Sequence, residues 1–284
     1  MLVVDRTGPQ ALFQDLGREG HAHLGVSPSG AADRAALRLA NRLVGNPEDA
    51  VVIECLLGGL GVTASALHWV AVTGAPTDVL VNGARVGSHT SWPLRPGDSM
   101  AIEAPTEGLR SYLAVRGGFR VAPTLGSRST DLLSGLGPKP LVPGAELPVG
   151  DPLHPLPDTD FAPVERPRTT LAVLPGPRWD WFTDDAWQTL VTTDWQVSSD
   201  SNRVAVRLDG GRLDRSRTDE LPSEAMVRGA IQVPSSGQPL IFGPDHPVTG
   251  GYPVIAVLTD RDADHAGQLR PGQTVRFSPS RERS

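Results

Sequence analysis

Along most of the chain polar and apolar residues follow a period of two. Val62, Ala64, Ala66, His68, Val70 and Val72 alternate with their neighbours, and so do parts of 196–208. Such spacing places one face of a strand against a core. Helical spacing is scarce. Over 31–44, Ala36, Leu39, Ala40 and Leu43 share one helical face, with Ser29 available as N-cap and Gly45-Asn46-Pro47 ending the run. A second helix is predicted over 179–190, where Phe182, Ala186 and Leu190 recur every fourth residue. The pattern predicts a mainly β protein with few helices.

Residues 153–170 are Pro-rich, polar and aperiodic, and are expected to link an N-terminal domain (1–152) to a C-terminal one (171–284). The halves echo each other in order. Gly8-Pro9 matches Gly176-Pro177, Asn41-Arg42 matches Asn202-Arg203, Glu54 matches Glu224, and Leu94-Arg95-Pro96-Gly97 matches Leu269-Arg270-Pro271-Gly272. Shared order points to an internal duplication giving two β-barrel-like domains. Segment 105–150 has no counterpart and is expected to be an addition to the first.

The chain has 284 residues, with 31 Gly and 27 Pro spread throughout, as many tight turns between short strands require. A net charge of −6 lacks the basic surface that nucleic acid demands. No signal-peptide pattern opens the chain and no apolar run is long enough to span a membrane, so a cytoplasmic protein is expected. The one cysteine, Cys55, lies among Val51, Val52, Ile53, Leu56 and Leu57 and is expected to be buried and inert.

Two motif matches fail on mechanism. Gly59-Leu60-Gly61-Val62-Thr63-Ala64 fits a dinucleotide fingerprint, but a strand begins where the phosphate-binding helix should start. His21 and His23 lack a third ligand nearby, so no metal site is expected. No G-x-S-x-G elbow, P-loop or Cys-x-x-Cys pair occurs.

Four polar segments carry candidate chemistry. In the first, Gln14-Asp15-Leu16-Gly17-Arg18 is followed by Ser29-Gly30-Ala31-Ala32-Asp33, a loop entering a helix whose N-terminus could offer N–H groups to an anion. Arg18, Ser29 and Asp33 are its candidates. In the second, Arg128 stands among Ser127, Ser129 and Thr130, a composition suited to a carboxylate or phosphate. The third, Ser198-Ser199-Asp200-Ser201-Asn202-Arg203, offers Asn202 and Arg203. The fourth runs through Gln238 to Asp245-His246-Pro247-Val248-Thr249-Gly250-Gly251-Tyr252-Pro253. There the glycines let backbone approach a ligand beside a carboxylate and hydroxyls.

QDLGR, HLGVSPSGAAD, RLANRLVGNPEDA, LGSRST, IQVP, TGGYPVIA and QLRPGQTVRF resemble the signatures of the family that holds the 5-oxoprolinase C-subunit and allophanate hydrolase subunit 2, and the resemblance runs from about Asp5 to Phe277. That resemblance implies cyclophilin-like β-barrel domains and a role in an ATP-dependent 5-oxoprolinase, which converts 5-oxo-L-proline to L-glutamate. It implies ATP with Mg in the assembled complex, a subunit 1 / kinase-inhibitor homologue as partner in a heterotetramer or larger, and little activity alone. Alternatives within the resemblance are a carboxyltransferase subunit of allophanate hydrolase or urea carboxylase type, and a regulatory protein that binds a kinase inhibitor. No biotin-attachment Met-Lys-Met occurs. Asp245, Arg203 and Tyr252 are the expected catalytic residues, with Arg18, Ser29, Asp33, Arg128, Ser129, Asn202, Gln238, Thr249, Gly250 and Gly251 binding substrate or nucleotide. Ala205-Val206, Val254 and Gly144-Ala145 depart from the family pattern, the second standing where relatives carry lysine.

Overall fold

A computed structural model describes residues 1–280. The chain is mainly β with three α-helices among the described residues, and it divides into two compact units. The first comprises Met1–Arg18, Ser29–Asp131 and Gly135–Pro167; the second comprises Glu19–Pro28, Leu132–Ser134 and the chain from Arg168 onward.

The first unit holds two sheets. One has six strands in the order Glu146–Leu147, Leu2–Thr7, Leu60–Ala64, Ser99–Ile102, Val79–Val81, Ala84–Arg85. The other has five, in the order Gln10–Gln14, Val52–Leu56, Arg110–Val115, His68–Gly74, Ser91–Leu94. Strand periodicity then sorts the side chains. Ile53, Cys55, Val70, Val72 and Leu113 join Leu2, Val4 and Val62 in a core drawn from both sheets. Their neighbours Val52, Ala71, Tyr112 and Ala114 face the other way and pack with Leu37, Ala40 and Leu43 of helix α1 (Arg34–Leu43). The five-stranded sheet is thus covered on both faces. Within 105–150, Arg110–Val115 is the middle strand of that sheet, and the part after it runs as loops and isolated bridges up to the edge strand Glu146–Leu147. Residues up to 167 stay with this unit, where Ser91 N–H donates to Asp160 O and Ala162 N–H to His89 O.

Helix α1 starts later than the apolar spacing indicates. Its N-cap is Asp33, whose Oδ1 accepts from Ala36 N–H at 2.9 Å, while Ser29 lies in a left-handed turn with φ 55°. Of the dinucleotide-like glycines, Gly59 forms a turn with Gly58, at φ 82° and 65°, and Gly61 lies within strand Leu60–Ala64.

The second unit is a closed barrel of seven strands: Thr170–Pro175, Val254–Leu258, Ala230–Gln232, Leu240–Phe242, Ala205–Asp209, Trp195–Val197 and Thr274–Pro279. Parallel pairing of the last with the first closes it. Helix α2 (Asp184–Thr192) is shorter than the predicted 179–190. Trp179–Trp181 forms a separate 3-10 turn, and Phe182 and Thr183 are extended before the helix begins. Helix α3 (Asp260–Ala266), capped by Thr259, has no apolar stripe to announce it.

One echo between the halves is structural. Arg95 N–H bonds the Asp98 side chain, Asp98 N–H returns to Arg95 O, and Gly97 N–H and Asp98 O engage Ala64 of a neighbouring strand. Arg270, Gln273, Gly272 and Val197 repeat all four bonds. Asn41-Arg42 lies within α1, whereas Asn202-Arg203 lies in a loop before Ala205–Asp209, so that pair shares sequence alone.

Candidate functional site

The N-terminus of α1 is closed by the protein's own acceptors. Ala31 N–H donates to Asp15 O at 2.9 Å, Ala32 N–H to Glu54 Oε2 at 2.9 Å, and Asp33 N–H to the Tyr112 hydroxyl at 2.8 Å. No open anion site of the expected kind remains there, because the loop 29–33 supplies donors to internal oxygens. Glu54, the lone acid in an otherwise apolar strand, is buried. It also meets Arg110 at 3.3 Å and accepts from Tyr112 Oη at 3.0 Å. Burial, together with the charge of Glu54, holds the Tyr112 hydroxyl well above its ordinary pKa. The single acidic position in Val52–Leu56 is the signal for Glu54, and motif matching does not catch it.

The first two polar segments meet in the first unit. Asp15 Oδ1 accepts from Gly17 N–H at 2.8 Å and from the hydroxyls of Ser127 and Ser129, each at 2.6 Å. Its Oδ2 accepts from Arg128 N–H at 2.6 Å. The hydroxyl cluster therefore binds a carboxylate that belongs to the chain itself. Ser29 Oγ donates to Thr130 O at 3.4 Å. Arg18, 2 % exposed, donates through Nε to Thr124 O and through Nη2 to Ser129 O, leaving Nη1 without a hydrogen bond. Gly137 is obligatory beside it: at φ 86° a Cβ would lie 2.1 Å from Ser129 O.

Arg128 occupies a different setting. It lines a cavity of about 610 Å³ together with Asn46, Asp49, Phe119, Arg120 and Val121. Its Nε donates to Val121 O at 2.9 Å. Asn46 is saturated by Val115 O, Asn41 Oδ1 and Gly117 N–H, and so serves as wall.

In the second unit Arg203 and Asp245 form a buried two-point ion pair, with Nε–Oδ2 2.8 Å and Nη2–Oδ1 3.1 Å. Leu132 N–H adds a bond to Oδ2 at 3.2 Å. The third and fourth segments are thus brought together at these two residues. Asn202 turns its Oδ1 to Val204 and Ala205 N–H, and Gln238 Oε1 accepts from Gly210 N–H. Thr249–Gly250 pairs with Glu224–Ala225, and a Cβ on Gly250 would meet Gln232 Nε2 at 2.5 Å. Gly250 therefore admits a protein side chain rather than leaving open space, while Gly251 is exposed. Tyr252 is 44 % exposed, with the Arg215 guanidinium 5.6 Å from its ring centre. Arg215 was not among the sequence candidates. Burial lowers its pKa, and its Nε has no hydrogen-bond partner.

Among the described residues no group of three or more His, Cys, Asp and Glu could hold a metal ion, and no helix is long and apolar enough to cross a membrane.

Residues 24–279 match the family model of the carboxyltransferase domain, subdomain A and B. The chain is 37 % identical to the C-subunit of 5-oxoprolinase from Escherichia coli strain K12 over 98 % of its own length and 90 % of that protein's. It superposes on the crystal structure of TTHA0988 with a TM-score of 0.89 at 34 % identity, covering 98 % of this chain and 55 % of that one. The Kluyveromyces lactis urea amidolyase structure also matches at a TM-score of 0.89, with 30 % identity, over 98 % of this chain but 18 % of that one. The chain thus spans little more than half of the first solved relative and under a fifth of the second.

Proposed function

The chain belongs to the carboxyltransferase subdomain A and B family, and from that premise we propose that it is the C-subunit of a 5-oxoprolinase, which opens 5-oxo-L-proline to L-glutamate. One observation carries this reading: the 37 % identity runs over nearly the whole of both this chain and the E. coli protein. A relative matched end to end is a better guide to role than one in which the matched part is a fraction of a larger machine.

The chemistry sets the requirements. A lactam amide is resonance-stabilised, so opening it at useful rates needs an activated carbonyl, and phosphoryl transfer from ATP to that oxygen would supply the activation. ATP with Mg is accordingly used by the assembled complex. The described residues of this chain do not suit a triphosphate: the α1 terminus is closed by Asp15, Glu54 and Tyr112, and no acidic cluster stands ready for a metal. In this reading the chain supplies substrate-binding surface, a subunit 1 homologue completes the site, and the isolated chain has little activity. The complex works in the cytoplasm. Arg203 and Asp245 hold the loop at Leu132 in place.

A second reading, carboxyl transfer to a urea-like amide, is favoured by the match to the urea amidolyase structure. One experiment separates the two. The chain is co-expressed with homologues of subunit 1 and of a lactam-hydrolysing subunit, the complex is purified, and ADP release is followed with 5-oxo-L-proline, urea or allophanate. Stimulation by 5-oxo-L-proline, absent from the isolated chain, is expected. Stimulation only by urea or allophanate would transfer the assignment to the second reading.

A further inference from the structure

Of three arginines that the sequence offers to an anion, the protein itself engages two. Arg203 forms its two-point pair with Asp245. Arg18 is enclosed, with two of its nitrogens on backbone carbonyls. Arg128 is held differently. Its backbone N–H is fixed to Asp15 at 2.6 Å and its Nε to Val121 O at 2.9 Å, so the residue is tethered at its backbone and part-way along its side chain. Its Nη1 and Nη2 make no hydrogen bond among the described residues.

That guanidinium lines the cavity of about 610 Å³. The volume lies within the roughly 300–1,000 Å³ typical of small-molecule sites. Much of the remaining wall is apolar, including Pro47, Ala50, Val51, Phe119 and Val121. A second cation on the wall, Arg120, is paired with Asp151 at 2.6 Å in an exposed bridge. Asp49 also stands on the wall, but one fixed fork on a largely apolar wall suits one carboxylate attached to an uncharged body. A triphosphate would need several cations and a metal.

We propose that this cavity binds the carboxylate-bearing substrate of the complex, with Arg128 gripping the carboxylate through its two terminal nitrogens. Naming the ligand as 5-oxo-L-proline rests on the function proposed above; the carboxylate chemistry of the site does not. Because the fork is held before the ligand arrives, little side-chain freedom is lost on binding. Asp15 is then a positioning residue. It fixes the backbone of Arg128 directly and the turn through Ser127 and Ser129.

The test uses the purified complex with three forms of this chain: wild type, Arg128→Lys and Ala50→Phe, the last filling the cavity without touching the arginine. Thermal melting establishes that each is folded. Arg128→Lys keeps the charge but loses the fork, so KM for 5-oxo-L-proline is expected to rise about 10- to 100-fold with kcat little changed, the scale of a charged hydrogen-bonded contact. Ala50→Phe should raise the same KM. Unchanged KM in both folded variants overturns the proposal, and a rise confined to KM for ATP overturns the carboxylate assignment in favour of phosphate. If the wild-type complex does not turn over 5-oxo-L-proline, the functional reading fails instead. The cavity is then judged by titrating benzoate into the full-length chain by NMR. Binding to wild type that is lost in both variants supports the site, and no binding to wild type overturns it.

Discussion

Replacing Asp245 with Asn separates a structural from a chemical role for the fourth polar segment. The carboxylate is fully buried and Arg203 is 2 % exposed at its side chain, so the pair lies outside the screening that makes surface ion pairs weak. Asparagine keeps the volume and one acceptor oxygen, but it removes the negative charge that Arg203 Nε and Nη2 engage. Breaking a buried pair from one side costs about 3–5 kcal/mol, and the surviving hydrogen bond places the variant near ~3 kcal/mol. At roughly 2–4 °C per kcal/mol for a domain of this size, the melting midpoint should fall by ~6–12 °C. Tryptophan fluorescence during thermal or urea unfolding reads this unit well, since Trp181 and Trp195 are buried in its core. Exchanging both partners for apolar residues, Arg203→Met with Asp245→Leu, should recover much of the loss, because neither charge is then left alone. The reasoning is refuted if Asp245→Asn unfolds like wild type while turnover in the complex drops ~10²–10⁴-fold, the scale of a lost general base.

Glu54→Gln should destabilise the first unit by about 3 kcal/mol, since Arg110, Tyr112 and Ala32 N–H all converge on that buried carboxylate; an unchanged urea midpoint read by Trp92 fluorescence would contradict this. Cys55 is fully buried, and burial followed by the charge of Glu54 pushes its thiol up, so a thiol reagent at mildly alkaline pH should leave it untouched until urea unfolds the chain. Rapid labelling of the native protein would show that the strand opens. Burial lowers the pKa of His89, so the unfolded chain takes up a proton first. Stability from this residue is whole above the unfolded pKa of about 6.5 and is lost as pH falls from there toward the folded value. His89→Asn should flatten that slope in unfolding measurements from about pH 7 to about pH 5, leaving the part due to His68, which is also lowered by burial. An identical slope would exclude His89 as its source.

Local patterns carried the architecture because strand burial is a local property. The apolar run Val70, Ala71 and Val72 is visible in three residues, and the structure faces its members into two different cores. Helix α1 was legible in its body but not at its start. Ala31 and Ala32 are good helix formers, and what takes them out of the helix is a pair of acceptors, Asp15 O just after strand Gln10–Gln14 and Glu54 Oε2 from strand Val52–Leu56. Helix α3 could not be read from an apolar stripe it does not have. Its signal is the Thr259 cap followed by acids at Asp260 and Asp262, where they favour the positive end of a helix.

The polar motifs show why composition identifies a recognition chemistry without identifying the ligand. Two of the motif's three hydroxyls, with the Arg128 backbone N–H, bind a carboxylate, while Thr130 Oγ1 donates to Pro138 O. For Ser127 and Ser129 the carboxylate is Asp15, 112 and 114 residues away in sequence. No short window on the chain contains both halves of that contact, so it becomes visible only when the strands bring the loops together. The consequence reaches the arginine in the same motif. With the hydroxyls and the Arg128 N–H engaged by Asp15, the turn is stiff, and what it leaves unanswered among the described residues is the outer edge of the Arg128 guanidinium. A short polar motif can therefore combine an internal lock with an external grip. Asp15→Asn tests the coupling. It replaces one acceptor oxygen with an N–H donor that must face a hydroxyl or the Arg128 N–H, so it should loosen the turn and weaken carboxylate binding at Arg128. A variant that melts lower yet binds 5-oxo-L-proline as tightly as wild type would show that the lock and the grip are independent.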